Sequence, residues 1–312
     1  MLRWLKKRAG AHFAIVALFV IPMLGMLSIV PNDQQPYLSK IRLWFDGWEY
    51  LSVDSRISFG RKATASPQLV FLTIDPPSIA LDVLDSQTIA ASKTLALMQS
   101  RGFPFPREVY AEACNRLIDA GAKTVTFDLI FQKPFPTDSI FEQVLEKYRD
   151  HVVIGINYSD DSNSYGLPPP SLLPSEDPMD DRLGFLNYWL DSDNIIRRTQ
   201  YRSNVDYENH HAGAEKLPML YSLAALTIQK AGHGDLVPND FQPRQIRYAG
   251  YSRFATYSFY KIFDPDSWKK DFKNGEYFRD KIVLVGPAGN WAKDQFETPI
   301  GFINRAEIHI NA

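Results

Sequence analysis

The chain has 312 residues, of which 45% are hydrophobic and 22% charged, a balance that excludes a disordered or fibrous protein. With 34 Lys and Arg against 36 Asp and Glu, the net charge is -2, so no basic field exists to hold a nucleic-acid backbone. Its single cysteine, Cys114, excludes an intramolecular disulfide framework and any multi-cysteine metal cluster.

In chain order, Arg3, Lys6, Lys7 and Arg8 precede an uncharged run from Phe13 to Val30, interrupted only by Pro22, Gly25 and Ser28. As a helix those residues span roughly 27 Å, close to a bilayer core and too long for the apolar stretch of a signal peptide. The expectation is a basic cytoplasmic tip and a transmembrane helix over 1–31, with the basic cluster inside and everything C-terminal to it outside. A cleaved signal peptide is the rival reading. Ser28-Ile29-Val30-Pro31 lacks the small-x-small pattern of a cleavage site, and Gly25 to Ser28 is a weaker alternative. From Ile41 to Phe59, Leu43, Trp44, Phe45, Trp48, Leu51, Val53 and Ile57 keep a helical rhythm that ends at Gly60. This predicts a stalk helix within 32–62.

The exported body is then expected over 63–312 as one mixed α/β domain. Leu69 to Ile74 is a continuously apolar, β-rich run closed by Asp75-Pro76-Pro77, the pattern of a strand buried on both faces. Arg107 to Ala120 reads as an amphipathic helix capped by Gly121, and Lys123 to Phe127 as a second buried strand ending in Asp128. A helix over 138–149 and a strand over 152–157 repeat the unit, which implies parallel pairing through right-handed crossovers. Residues 159–180, rich in Pro, Ser and Asp, read as a long surface loop. Gly184 to Leu190 and Ile195 to Tyr201 read as a hairpin about Asp191-Ser192-Asp193-Asn194, with Asn194 closing the turn in a left-handed conformation. A helix from Leu217 to Ala231, a short strand from Gln245 to Tyr248 and a buried strand from Lys281 to Val285 follow, and Glu307 to Ile310 ends the series. The fold class is therefore α/β, a mainly parallel sheet flanked by helices and preceded by the transmembrane and stalk helices.

If the strands ending in Asp75 and Asp128 are neighbours, both carboxylates emerge at one sheet edge, where open α/β folds place ligands. They could bind a cation, hold a polar ligand or share a proton, or each could simply cap the turn after its strand. Arg107, beside Phe103 and Phe105, is an anion-binding candidate; its structural alternative is an ion pair with Asp128 or Asp75. Asp191, Asp193 and Arg197 form a second polar cluster, for which a β-turn is a better reading than a calcium loop because the downstream Gly and bidentate Glu are missing. Gly286-Pro287-Ala288-Gly289-Asn290 follows a strand but matches no phosphate-binding motif. No metal, cofactor or catalytic motif is expected: the six histidines have no ligand spacing, and Cys114 reads as a buried core residue.

The segments FDGWEYLSVDSRISFG, LVFLTIDPPSI, GFPFPREVYAEACNRLIDAGAKTVTFDLIF, LGFLNYWLDSDNIIRRT and KIVLVGPAGNWAKDQFETPIG resemble, in order and spacing, the type-two CHASE domain. That family is a sensory domain lying outside the membrane in bacterial receptors with cyclase, kinase or related outputs. The resemblance covers about residues 40–312 and carries the family's positions onto Asp75 and Asp128, Pro104 and Arg107, Asp191, Asp193, Asn194 and Arg197, and Asp294, Thr298 and Pro299. Asn194 stands where the family usually has Gly, and Arg305 where a Gly usually precedes the closing Glu-Ile-His-Ala-Asn, matched here by Glu307, Ile308, His309 and Asn311 with Ile310 for the small residue.

The resemblance implies a non-catalytic sensor in the cytoplasmic membrane with a periplasmic or extracellular body. It would recognise a small-molecule or envelope signal beside Asp75, Arg107, Asp128, Asp193, Arg197 and Asp294 and work as a homodimer. The output, of cyclase or kinase type, would lie in a partner or in a part of the molecule beyond Ala312. The alternatives are an envelope metal-dependent hydrolase using Asp75 and Asp128, and a dimerisation scaffold.

Overall fold

The computed structural model describes residues 36–60, 64–159, 164–174, 179–208, 213–216, 218–249 and 254–312. The apolar run from Phe13 to Val30 lies outside these residues. Among the described residues no helix is long and apolar enough to cross a membrane. The chain divides at Gly60 into two compact units. In the first, helix α1 (Pro36–Phe59) begins at a proline, as suits a position whose N–H would be unsatisfied anyway, and stops before Gly60.

The second unit is built on a sheet of β1 (Leu69–Ile74), β2 (Thr124–Ile130), β3 (Val152–Ser159), β4 (Ser164–Gly166), β5 (Leu183–Phe185), β6 (Ala255–Ser258) and β7 (Ile282–Pro287). Its order is β6-β1-β7-β2-β3-β4, with β5 also on β3. Every pairing is parallel except that of β3 with β4. The strands are apolar on both sides because helices cover both faces.

On the first face, Val70, Leu72 and Ile74 of β1, Val125 and Phe127 of β2, and Val283 and Val285 of β7 enter one large core. They pack there with residues of α4 (Lys93–Arg101), α5 (Arg107–Asp119) and α6 (Asp138–Lys147). Tyr110 meets Phe127 and Phe131 edge-on in its centre and lies tilted against Phe141, with ring centroids 5.1–6.0 Å apart. Cys114 is fully buried here, and burial pushes its thiol far above the ordinary range, so it is inert.

Alternate residues turn to the second face, where Phe71, Val153 and Leu284 join a smaller cluster with Leu223, Leu226, Ala306 and Ile310. Its covering helices are α7 (Leu223–Ile228), capped by the Ser222 side chain, and α9 (Arg305–Asn311). Between them in sequence lie α8 (Pro265–Lys270) and the antiparallel pair of β8 (Gln295–Thr298) and β9 (Gly301–Asn304).

Several expectations hold to within a residue or two, among them β1, α5 with Gly121 at φ 92° after it, and β3. Four need correction. The second strand runs on to Ile130, so Asp128 lies inside it. Residues around 191–194 form the expected turn, with Asn194 at φ 65° and its N–H on the Asp191 carbonyl at 2.8 Å, but the flanks do not pair as a hairpin. Leu183–Phe185 instead extends the main sheet beside β3, because its buried Leu-Gly-Phe lets α7 approach. A Cβ at Gly184 would stand 2.7 Å from the Leu223 Cα. Arg198–Thr199 pairs with Arg244–Gln245 in a separate two-stranded ladder. Finally, the predicted helix from Leu217 starts only at Leu223, and 164–166, read as loop, forms β4.

Candidate functional site

Asp75 follows β1 and caps the short helix α2 (Pro76–Ala80), as its place before two prolines foreshadows. Its carboxylate accepts from the Ser78 N–H at 3.0 Å, the Ser78 hydroxyl at 2.6 Å and the Ser258 hydroxyl at 2.6 Å. It thereby ties β1 to β6. Strand β7 lies between β1 and β2, so Asp75 and Asp128 are two strand spacings apart, about 9.5 Å in the hydrogen-bonding direction. They are not a neighbouring pair, and no cluster of His, Cys, Asp and Glu suited to a metal occurs among the described residues. Replacing Asp75 by Ala should cost about 1–2 kcal/mol of stability, the value of a lost cap, in a urea titration. A change under about 0.5 kcal/mol would remove it as a cap.

Arg107 opens α5 but turns away from both strand-end acids. Its Nε donates to Asp138 Oδ1 at 2.7 Å and its Nη2 to the Lys133 carbonyl at 2.7 Å, with the guanidinium 4.8 Å from the ring centres of both Phe131 and Phe135. Asp138 also accepts from the Phe135 N–H and the Ser171 hydroxyl, and its carboxyl sits below the usual range because these bonds and the Arg107 charge outweigh its burial. This ion pair is buried on both sides. It pins the 131–137 connection to the first core, and the expected partners Asp128 and Asp75 play no part in it.

Asp193 and Asp191 both accept from Arg197, with Nη2 to Asp193 Oδ2 at 2.7 Å and Nη1 to Asp191 Oδ2 at 3.0 Å. The Arg197 hydrogen bonds hold the Asp193 carboxyl below its ordinary value. The neighbouring Ile196 N–H donates to the Glu297 carbonyl at 2.9 Å, so the turn rests against β8.

The remaining candidates, Asp128 and Asp294, do meet, and they meet at Arg305. Arg305 Nε donates to Asp128 Oδ1 at 3.1 Å, Nη2 lies 3.2 Å from Asp294 Oδ2, and the Arg305 N–H donates to the Asp294 carbonyl at 3.1 Å. Strand β2, the segment before β8 and the start of α9 are thus joined by one guanidinium. The approach depends on Gly286 of β7, where a Cβ would stand 2.8 Å from Ala306 Cβ and 3.1 Å from Asp128 Cβ. Asp128 is fully buried, and its Oδ2 has no hydrogen-bond partner among the described residues. Burial raises the pKa values of Asp128 and Asp294 despite the nearby cation. One helical turn along α9, the buried His309 places Nδ1 2.8 Å from the Tyr188 hydroxyl. Burial first, then Arg305, holds His309 well below its ordinary pKa, so the ring is neutral.

Sequence reasoning did not name Tyr188, placed His309 only among the matches to the family's closing segment, and noted Arg305 only as a departure from it. The signal available was that departure: an Arg where a glycine is usual, and where a buried position would bring acids to it. A cavity of about 450 Å³ lies on one side of α9, over β1 and β6. A smaller one of about 220 Å³, lined mainly by aliphatic residues of α7, β7 and α9, lies on the other.

No curated protein and no solved structure matches the chain. The sequence profile of the CHASE2 domain matches residues 23–312. That span includes the parallel sheet, the Asp128–Arg305–Asp294 junction and α9, and the chain belongs to the CHASE2 domain family, a family of sensory extracytoplasmic domains.

Proposed function

We propose that this chain is a membrane-anchored sensor. Its extracytoplasmic body, residues 63–312, receives a signal at the α9 face of the sheet and passes it through the stalk 32–62 and a helix within 1–31 to a cyclase- or kinase-type output. The observation that carries this reading is the Asp128–Arg305–Asp294 junction, a partly buried charge knot that fixes one short helix over the sheet. Such a knot has few alternative arrangements, so displacing α9 exchanges one discrete set of ion pairs for another. The four cations before the apolar run to Val30 support a single pass with the body outside. Leu51 and Phe59 of α1, 61% and 89% exposed, support pairing of the stalk with a second copy.

The test is disulfide cross-linking of a Leu51→Cys chain in membrane vesicles, with and without Asp294→Asn. Native Cys114 is buried and does not compete. Releasing Arg305 from Asp294 should change the cross-linking yield at least about fivefold, the lower end of ordinary coupling energies. Equal yields from two equally folded chains would end the coupling claim, and no cross-link in either would end the paired stalk.

A further inference from the structure

Helices α7 and α9 cover β3, β2 and β7 on the second face, and the 450 Å³ cavity lies over the other half, above β1 and β6. That volume falls in the usual range for small-molecule sites, about 300–1,000 Å³. Its apolar wall is aromatic and aliphatic: Phe71 of β1, Phe254 just before β6, Ile303 of β9 and Ile310 of α9. The hydroxyl-bearing Thr73 and Thr256 and the amides Asn304 and Asn311 supply polar atoms.

The charged residue of the lining is Glu307. Its Oε2 accepts from the Asn304 N–H at 3.1 Å and from Asn304 Nδ2 at 3.0 Å, the reciprocal cap of α9. Among the described residues Oε1 takes no hydrogen bond and no Lys, Arg or His pairs with this carboxylate. The nearby cation, Arg305, is committed to Asp128 and Asp294. An unpaired carboxylate in a partly enclosed, aromatic-walled space is complementary to a positive charge on an apolar body, since Phe faces and carboxylate both attract a cation. The same carboxylate repels an anion and offers a neutral isostere only a weaker hydrogen bond.

We propose that this cavity binds a small organic cation, an amine whose charge meets Glu307 Oε1 and whose apolar body lies against Phe71, Phe254 and Ile303. The inference rests on the sensory reading above and names its ligand class. The occupant would touch α9, the helix that Arg305 anchors, and so could act on the junction with Asp128 and Asp294.

The experiment is calorimetric titration of the full chain with phenethylamine, phenethyl alcohol and phenylacetate, repeated on Glu307→Gln. Glutamine at this position keeps the reciprocal cap, so the variant should retain its Tm while losing the charge. The amine is expected to bind at least about tenfold more tightly than the alcohol, and Glu307→Gln to bring the two together. The proposal is overturned if the amine does not bind, if the alcohol binds equally well, or if the preference survives in Glu307→Gln. Failure of the sensory reading registers separately, as unchanged Leu51→Cys cross-linking in a chain that still binds the amine.

Discussion

Replacing Arg305 by Met should cost about 3–5 kcal/mol of folding stability, the usual result of removing one partner from a buried ion pair. Asp128 is 0% exposed and its Oδ2 has no partner among the described residues, so the variant leaves a buried carboxylate without its compensating cation. Its way out is to take up a proton, and stability should then improve as the pH falls toward the raised pKa of Asp128. Thermal unfolding followed by near-ultraviolet circular dichroism should show a Tm lower by roughly 6–20 °C. Adding Asp128→Asn should recover most of the loss, because the double variant has no uncompensated charge. If Arg305→Met costs under about 1 kcal/mol, or if Asp128→Asn worsens it, the junction is not the anchor of α9 described above.

The second large effect is on pH dependence. His309 is buried on α9 and neutral in the folded chain, whereas an unfolded chain protonates it near its ordinary pKa of 6.5. Below that pH the unfolded state binds more protons, so stability falls as the pH drops from 6.5 toward the depressed folded value. One such group contributes a slope of at most about 1.4 kcal/mol per pH unit. Asp128 and Asp294 act in the opposite sense, because their raised pKa values make the folded state the better proton acceptor above 3.8. Urea titrations between pH 7 and about 5 should therefore show a slope that is more positive in the parent chain than in His309→Gln. Parallel curves for the two chains would mean that His309 is not held neutral.

These two predictions concern residues that local pattern could not connect. Arg305 and Asp128 are 177 positions apart, and their pairing exists because β7 carries Gly286 where α9 must come close. In the same way Arg107 finds Asp138 rather than a strand-end acid, since the 131–137 connection brings Asp138 and the rings of Phe131 and Phe135 to the guanidinium. The cap at Asp75, one of the alternatives its sequence left open, could be read at all because capping is local: an Asp before two prolines at the end of an apolar run.

The sequence by itself determined the alternation of buried strands and amphipathic helices, the left-handed turn at Asn194 and the family. Each is written in a short window of hydrophobic period, turn residues or ordered motifs. Tertiary structure alone decided that β7 enters between β1 and β2, separating the two acids that sequence order suggested were neighbours. It also decided which acid each buried cation meets, and that a cavity forms on the second face over β1 and β6 beside Glu307. Hydrophobic periodicity sets which side of an element is buried, but not against what. Strand order and charge pairing are settled only when distant segments compete for the same buried surface.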